Sequence, residues 1–148
     1  MTPRTSTPAH ERITESLVEL ARCSRQHRFI IAGSNSPELM FALHRRGYVR
    51  VATTATCGLP HGQYDVALVD WHGRSIKSLE TTLDWLVHYL GSPAVLVIRV
   101  DVQEHAANRK LAAMLESVGF RVEVGTRCDD GLAVSARRRD AVQMAVAA

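Results

Sequence analysis

The stretch FIIAGSNSPELM, Phe29 to Met40, begins as a short apolar strand and ends as a helix, and the turn between them reads Ser34-Asn35-Ser36-Pro37. Ser36 fits as the helix cap, Pro37 at the first helical position, and Glu38 as an acid favoured by the helix dipole. The helix ends at Arg45-Arg46-Gly47, where cations meet its carbonyl end and glycine supplies a left-handed exit. A buried strand that turns sharply into a helix is half of a strand–helix–strand unit. The question is whether the rest of the chain repeats it.

It does. Upstream, Thr7-Pro8 opens an amphipathic helix over 8–26 with Ile13, Leu17, Leu20 and Ala21 on one face. Downstream, YVRVATTA (48–55) is strand-like, CGLPHGQ (57–63) is a loop, and YDVALVD (64–70) is apolar on both faces, the pattern of a central parallel strand. A helix follows over 75–90, then a buried strand PAVLVIRV (93–100). Asp101 and Glu104 form a capping box for the next helix, which stops at Gly119. FRVEVGTR and LAVSARRR flank Cys128-Asp129-Asp130-Gly131, a hairpin turn. Alternation of this kind implies a three-layer α/β/α Rossmann-like sheet of about six strands, mostly parallel with a C-terminal antiparallel strand. Residues 8–139 form one domain, with residues 1–7 a disordered tail and 140–148 a second tail.

Composition narrows the partners. The chain has 148 residues, 46% of them apolar and 22% charged, with a net charge of +3. The positives are scattered and few aromatics are present to stack bases, so no nucleic acid is expected. No apolar run approaches the ~20 residues of a membrane span, so no membrane is expected either. Three separated cysteines without a CxxC pair suggest reduced thiols and a cytoplasmic protein.

The order of elements resembles the class I S-adenosylmethionine-dependent methyltransferase fold over residues 8–139. YDVALVDWHG is similar to that family's central strand ending in Asp, and LAAMLESVGFRVEVGTRCDDGLAVSARR to its final helix, strand and antiparallel last strand. The first half departs from the pattern. The family's first strand ends in an acid followed by a G-x-G-x-G loop. Here the acid falls near Ile31, one glycine remains as Gly33, and the other two places hold Asn35 and Pro37. The second strand lacks the acid that would hold ribose hydroxyls and offers Thr53, Thr54 and Thr56. Only about eight residues separate it from YDVALVD, so one usual edge strand and its crossover are missing.

Ligands of parallel α/β sheets gather beyond the carboxyl ends of the strands. The resemblance therefore implies Gly33, Ser34, Asn35, Ser36, Thr53, Thr54 and Trp71 as cofactor-binding residues, with S-adenosylmethionine the cofactor if the protein is active. Asp70 and His72 are the candidate catalytic pair, since a carboxylate beside a histidine can hold it ready to take a proton near neutral pH. Each has a plainer role. Asp70 can end its strand, Asp101 can serve only as a helix cap, and Trp71 can plug the pocket it would otherwise floor. Arg99 pairs with Asp70 or Asp101, or meets an anionic ligand. Cys57, His61, Asp70 and His72 lack the spacing of a zinc set, so no metal is expected.

Losing the acid, two glycines and the ribose partner together predicts a methyltransferase-like domain without ordinary S-adenosylmethionine binding. It would act as a binding or regulatory protein, as a homodimer or with a protein partner. Two alternatives stand beside this: an active small-molecule methyltransferase with an atypical cofactor loop, and a degenerate receiver-like domain.

Overall fold

Alternating aliphatic residues along Tyr64–Asp70 leave this strand no face for water, and it takes the centre of the sheet. A computed structural model of the chain describes residues 9–53, 62–71, 74–100, 105–128 and 131–138. The expected tails, the capping box Asp101–Glu104 and the tip of the hairpin lie outside the described residues. The elements are α1 (Ala9–Ala21), β1 (Phe29–Gly33), α2 (Ser36–Arg45), β2 (Val51–Thr53), β3 (Tyr64–Asp70), α3 (Ile76–Leu86), β4 (Leu90–Val100), α4 (His105–Ser117), β5 (Phe120–Cys128) and β6 (Gly131–Arg138). They build one six-stranded sheet in the order β2-β1-β3-β4-β6-β5. β2, β1, β3 and β4 run parallel, while β6 is antiparallel to both β4 and β5. A receiver-like sheet has no such strand, so that alternative falls.

Several boundaries differ from the sequence reading. α1 stops at Ala21, five residues short of the expected end, where Arg22 takes φ 50°. Of the expected strand 48–55, residues 48–50 precede β2, Val51–Thr53 form it, and 54 and 55 lie outside the described residues. The helix expected over 75–90 is α3 followed by a 3-10 turn, Val87–Tyr89, and β4 begins at Leu90. The α2 cap is Asn35, in the left-handed region at φ 57°, and not Ser36. A residue already in that conformation turns the chain into the helix, and Ser36 becomes the first helical residue.

The two faces of the sheet carry separate apolar clusters. One gathers Ile30, Ala67, Val69, Leu96 and Ile98 beneath α3 and α4, through Leu79, Leu83, Leu111 and Leu115. The other gathers Phe29, Ile31, Leu68 and Val97 beneath α1 and α2, through Leu17, Leu39 and Leu43. Period-two alternation along β1 assigns Phe29 and Ile31 to one face and Ile30 and Ala32 to the other. Arg138 closes the far end. Its guanidinium donates to the carbonyls of Leu90 and Val87, both at 2.8 Å, and lies over the Phe120 ring.

Phe29 is fully buried, and its ring meets Tyr48 edge-on at 5.2 Å. Truncation to alanine leaves a cavity between sheet and helices, so Phe29→Ala is expected to cost about 3–5 kcal/mol, read as a drop in the urea midpoint with the slope unchanged.

Candidate functional site

The chain runs outward from β1 to β2 and then returns to β3, so the sheet reverses direction between β1 and β3. A crevice for ligands belongs at the carboxyl ends of those two strands. The residues there are Gly33 to Ser36 from β1, Thr53 from β2, and Asp70 with Trp71 from β3. His72 and Thr54 lie outside the described residues, as do Thr56, Cys57, His61 and Asp101.

Gly33 faces Asp70 across the parallel ladder. Its φ is +96°, and a Cβ there would strike the Asp70 carbonyl oxygen and come 3.2 Å from the Trp71 ring. Only glycine fits. The next N–H, that of Ser34, donates to the same Asp70 carbonyl at 2.6 Å, and the Ser36 hydroxyl donates to the Gly33 carbonyl at 3.0 Å. The corner thus turns its polar groups back into the protein. Asn35 is exposed, and its carbonyl accepts the Leu39 N–H at 3.0 Å, the first bond of α2.

The remaining polar groups follow the same inward pattern. The Asp70 carboxylate, 1% exposed, accepts from Arg99 Nη1 at 2.8 Å, and Arg99 itself is 3% exposed. Both side chains are desolvated, so each charge depends on the other. The carboxylate expected to hold His72 is therefore engaged by Arg99, one of the pairings open to that arginine from the sequence. Trp71 is 3% exposed and belongs to the cluster beneath α3 and α4. Its indole N–H donates to the Ser75 carbonyl at 2.7 Å, and Arg74 stacks 4.9 Å from the ring centre. The ring lies against Gly33, filling space over the corner. Ile31, where the resemblance places an acid, is fully buried in the opposite cluster.

Elsewhere the described residues hold no group of three or more His, Cys, Asp and Glu able to bind a metal. Among them, no helix is long and apolar enough to cross a membrane. Burial pushes the Cys23 thiol up to about 11, which keeps it protonated and unreactive near neutral pH.

The buried pair makes a sharp expectation. Asp70→Ala strands the Arg99 charge and should cost about 3–5 kcal/mol, whereas adding Arg99→Met should recover most of the loss. Equilibrium denaturation of the single and double variants reads both. Gly33→Ala should destabilise as well, through the clash with the Asp70 carbonyl and the positive φ.

No protein-family profile matches the sequence, and a search against curated proteins finds none that matches it. Solved structures do match by shape. The 1,6-didemethyltoxoflavin-N1-methyltransferase of Burkholderia thailandensis, solved with S-adenosylhomocysteine, superposes with a TM-score of 0.68 at 18% identity, over 89% of this chain and 79% of that one. A SAM-dependent methyltransferase from Aquifex aeolicus gives 0.63 at 12% identity, over 88% and 90%. The cyclase SpnF gives 0.67 at 10% identity, over 88% and 81%. Agreement over nearly the whole length at such low identity is agreement of backbone path. The sheet order, the glycine corner and the antiparallel β6 agree with it, and this chain has the Rossmann-like fold of the class I S-adenosylmethionine-dependent methyltransferases.

Proposed function

We propose that the chain is a methyltransferase-like domain that has lost the family's mode of S-adenosylmethionine binding and acts by binding a protein partner, in a reducing compartment such as the cytoplasm. The observation that supports this reading is the neutralised carboxylate. Among the described residues at the strands' carboxyl ends, the one acid is Asp70, and Arg99 holds it at 2.8 Å in a desolvated pair. S-adenosylmethionine brings a sulfonium and an ammonium. A site for it needs anionic or strongly accepting groups turned outward, and Asp70, the acid described there, turns inward. Ile31 removes a second acid from the first strand, and Thr53 offers a hydroxyl in place of a ribose-binding carboxylate.

One observation favours a second reading. Gly33 and Asn35 both keep positive φ, at 96° and 57°, the backbone course that glycines would give such a loop. On this reading the chain is an active small-molecule methyltransferase in which the side chains of Ser34, Asn35 and Ser36 replace glycine backbone contacts.

Calorimetric titration of the full chain with S-adenosylhomocysteine decides between the two. The first reading expects no binding heat and no thermal stabilisation. A micromolar dissociation constant would overturn it and establish the second.

A further inference from the structure

The opposite end of the sheet has a different character. Among the described residues β2 is the terminal strand of the sheet and pairs with β1. The Phe29 N–H donates to the Arg50 carbonyl, and Phe29 pairs in register with Val51. In a parallel ladder this fixes the alternation: Arg50 and Ala52 bond toward β1, and the N–H and C=O of Val51 point away from it. Beside that edge is a hollow of about 340 Å³ lined by Arg28, Val49, Arg50, Val51, Ala52 and Tyr64. Val49 is 72% exposed there.

The described residues that line the hollow include two arginines and no acid. Arg28 directly precedes β1 and Arg50 directly precedes β2, and Phe29 pairs with Val51, so the two arginines sit side by side where these strands begin. Arg28 donates to the neutral Gln63 side chain at 3.2 Å. On the α1 and α2 side, Arg25 lies over the Tyr48 ring, its Nε donating to the Arg46 carbonyl at 2.6 Å. Two carboxylates stand close by. Asp65 accepts from the Arg28 backbone N–H, and Glu15 is 3.8 Å from Arg46. Like charges side by side on adjacent strands repel unless an anion lies between them.

We propose that this edge is a docking surface for an extended, acid-bearing segment of another protein, which adds a strand beside β2 and sets carboxylates against Arg28 and Arg50. Strand addition uses backbone bonds for affinity and alternate side chains for specificity. The outward Val51 groups supply the first, and the hollow with its arginines supplies the second. A second copy of this chain fits less well. A two-fold interface sets each patch against itself, so the arginines of one copy would face those of the other. The proposal deepens the binding reading above and rests on it, because it names the chemistry of the partner.

The test uses the full chain and two fluorescein-labelled peptides, one alternating valine with glutamate and the other valine with lysine. Saturable anisotropy is expected for the glutamate peptide, with binding about tenfold weaker for the lysine peptide. Val51→Pro removes an outward donor and no bond to β1, a place where edge strands accept proline. It should weaken the glutamate peptide about tenfold with the circular dichroism spectrum unchanged. Arg28→Glu with Arg50→Glu should do the same if the proline variant fails to fold. No binding, equal binding of both peptides, or indifference to these substitutions overturns the proposal. So does sedimentation showing a dimer that Val51→Pro dissociates, which would assign the edge to a second copy. Binding of S-adenosylhomocysteine in the separate titration would sink the cofactor reading and leave these peptide results standing.

Discussion

The Asp70 backbone and side chain tie together three strands at the point where the sheet reverses. Its carbonyl takes the Ser34 N–H and presses on Gly33, closing β1 onto β3, while its carboxylate takes Arg99 and closes β3 onto β4. The Trp71 N–H continues the tie by donating to the Arg99 carbonyl at 2.7 Å. Each bond is short and sheltered from water. An ion pair in such surroundings contributes less to net stability than to arrangement, since desolvation offsets most of the Coulomb attraction. Its effect is to hold the Asp70 carboxylate inward at the carboxyl end of β3.

That closure separates fold from chemistry. The backbone follows the path of two methyltransferases and of the cyclase SpnF. A shared fold therefore does not name a reaction, and the argument must come from side chains at the site. Glycine is kept at the one corner where packing alone demands it, against the Asp70 carbonyl. Glycine is absent at Asn35, where a polar side chain tolerates the left-handed conformation, and at Pro37, which needs no N–H in the first turn of α2. Packing accounts for the glycine at the first of these positions, and the helix start accounts for the residues at the other two.

The two ends of the sheet differ accordingly. At the carboxyl ends, polar groups pair with one another beneath Trp71. At the other end, the short distance from β2 to β3 leaves β2 terminal, bordered by arginines and the exposed Val49. An edge strand invites indiscriminate pairing, so selectivity at such an edge has to come from charge.

The sequence by itself determined the layers, the identity and direction of the central strands, and the terminal hairpin. Period-two and helical periodicity, together with the glycine and capping signals, are local, and a chain of aliphatic residues such as YDVALVD has few ways to bury both faces. The cap of α2 and the end of α1 were not legible. Both fall where a non-glycine residue takes positive φ, at Asn35 and at Arg22, and beside Asn35 the corner is set by the Asp70 carbonyl behind Gly33. Of the site, the family resemblance marked the missing acid near Ile31, and Arg99 stood out as a charge in a buried strand. Only tertiary structure decided that Arg99 meets Asp70, and that Trp71 turns into the core. A carboxylate reads the same in a sequence whether it faces water or an arginine, and only the register between β3 and β4 sets these two side by side.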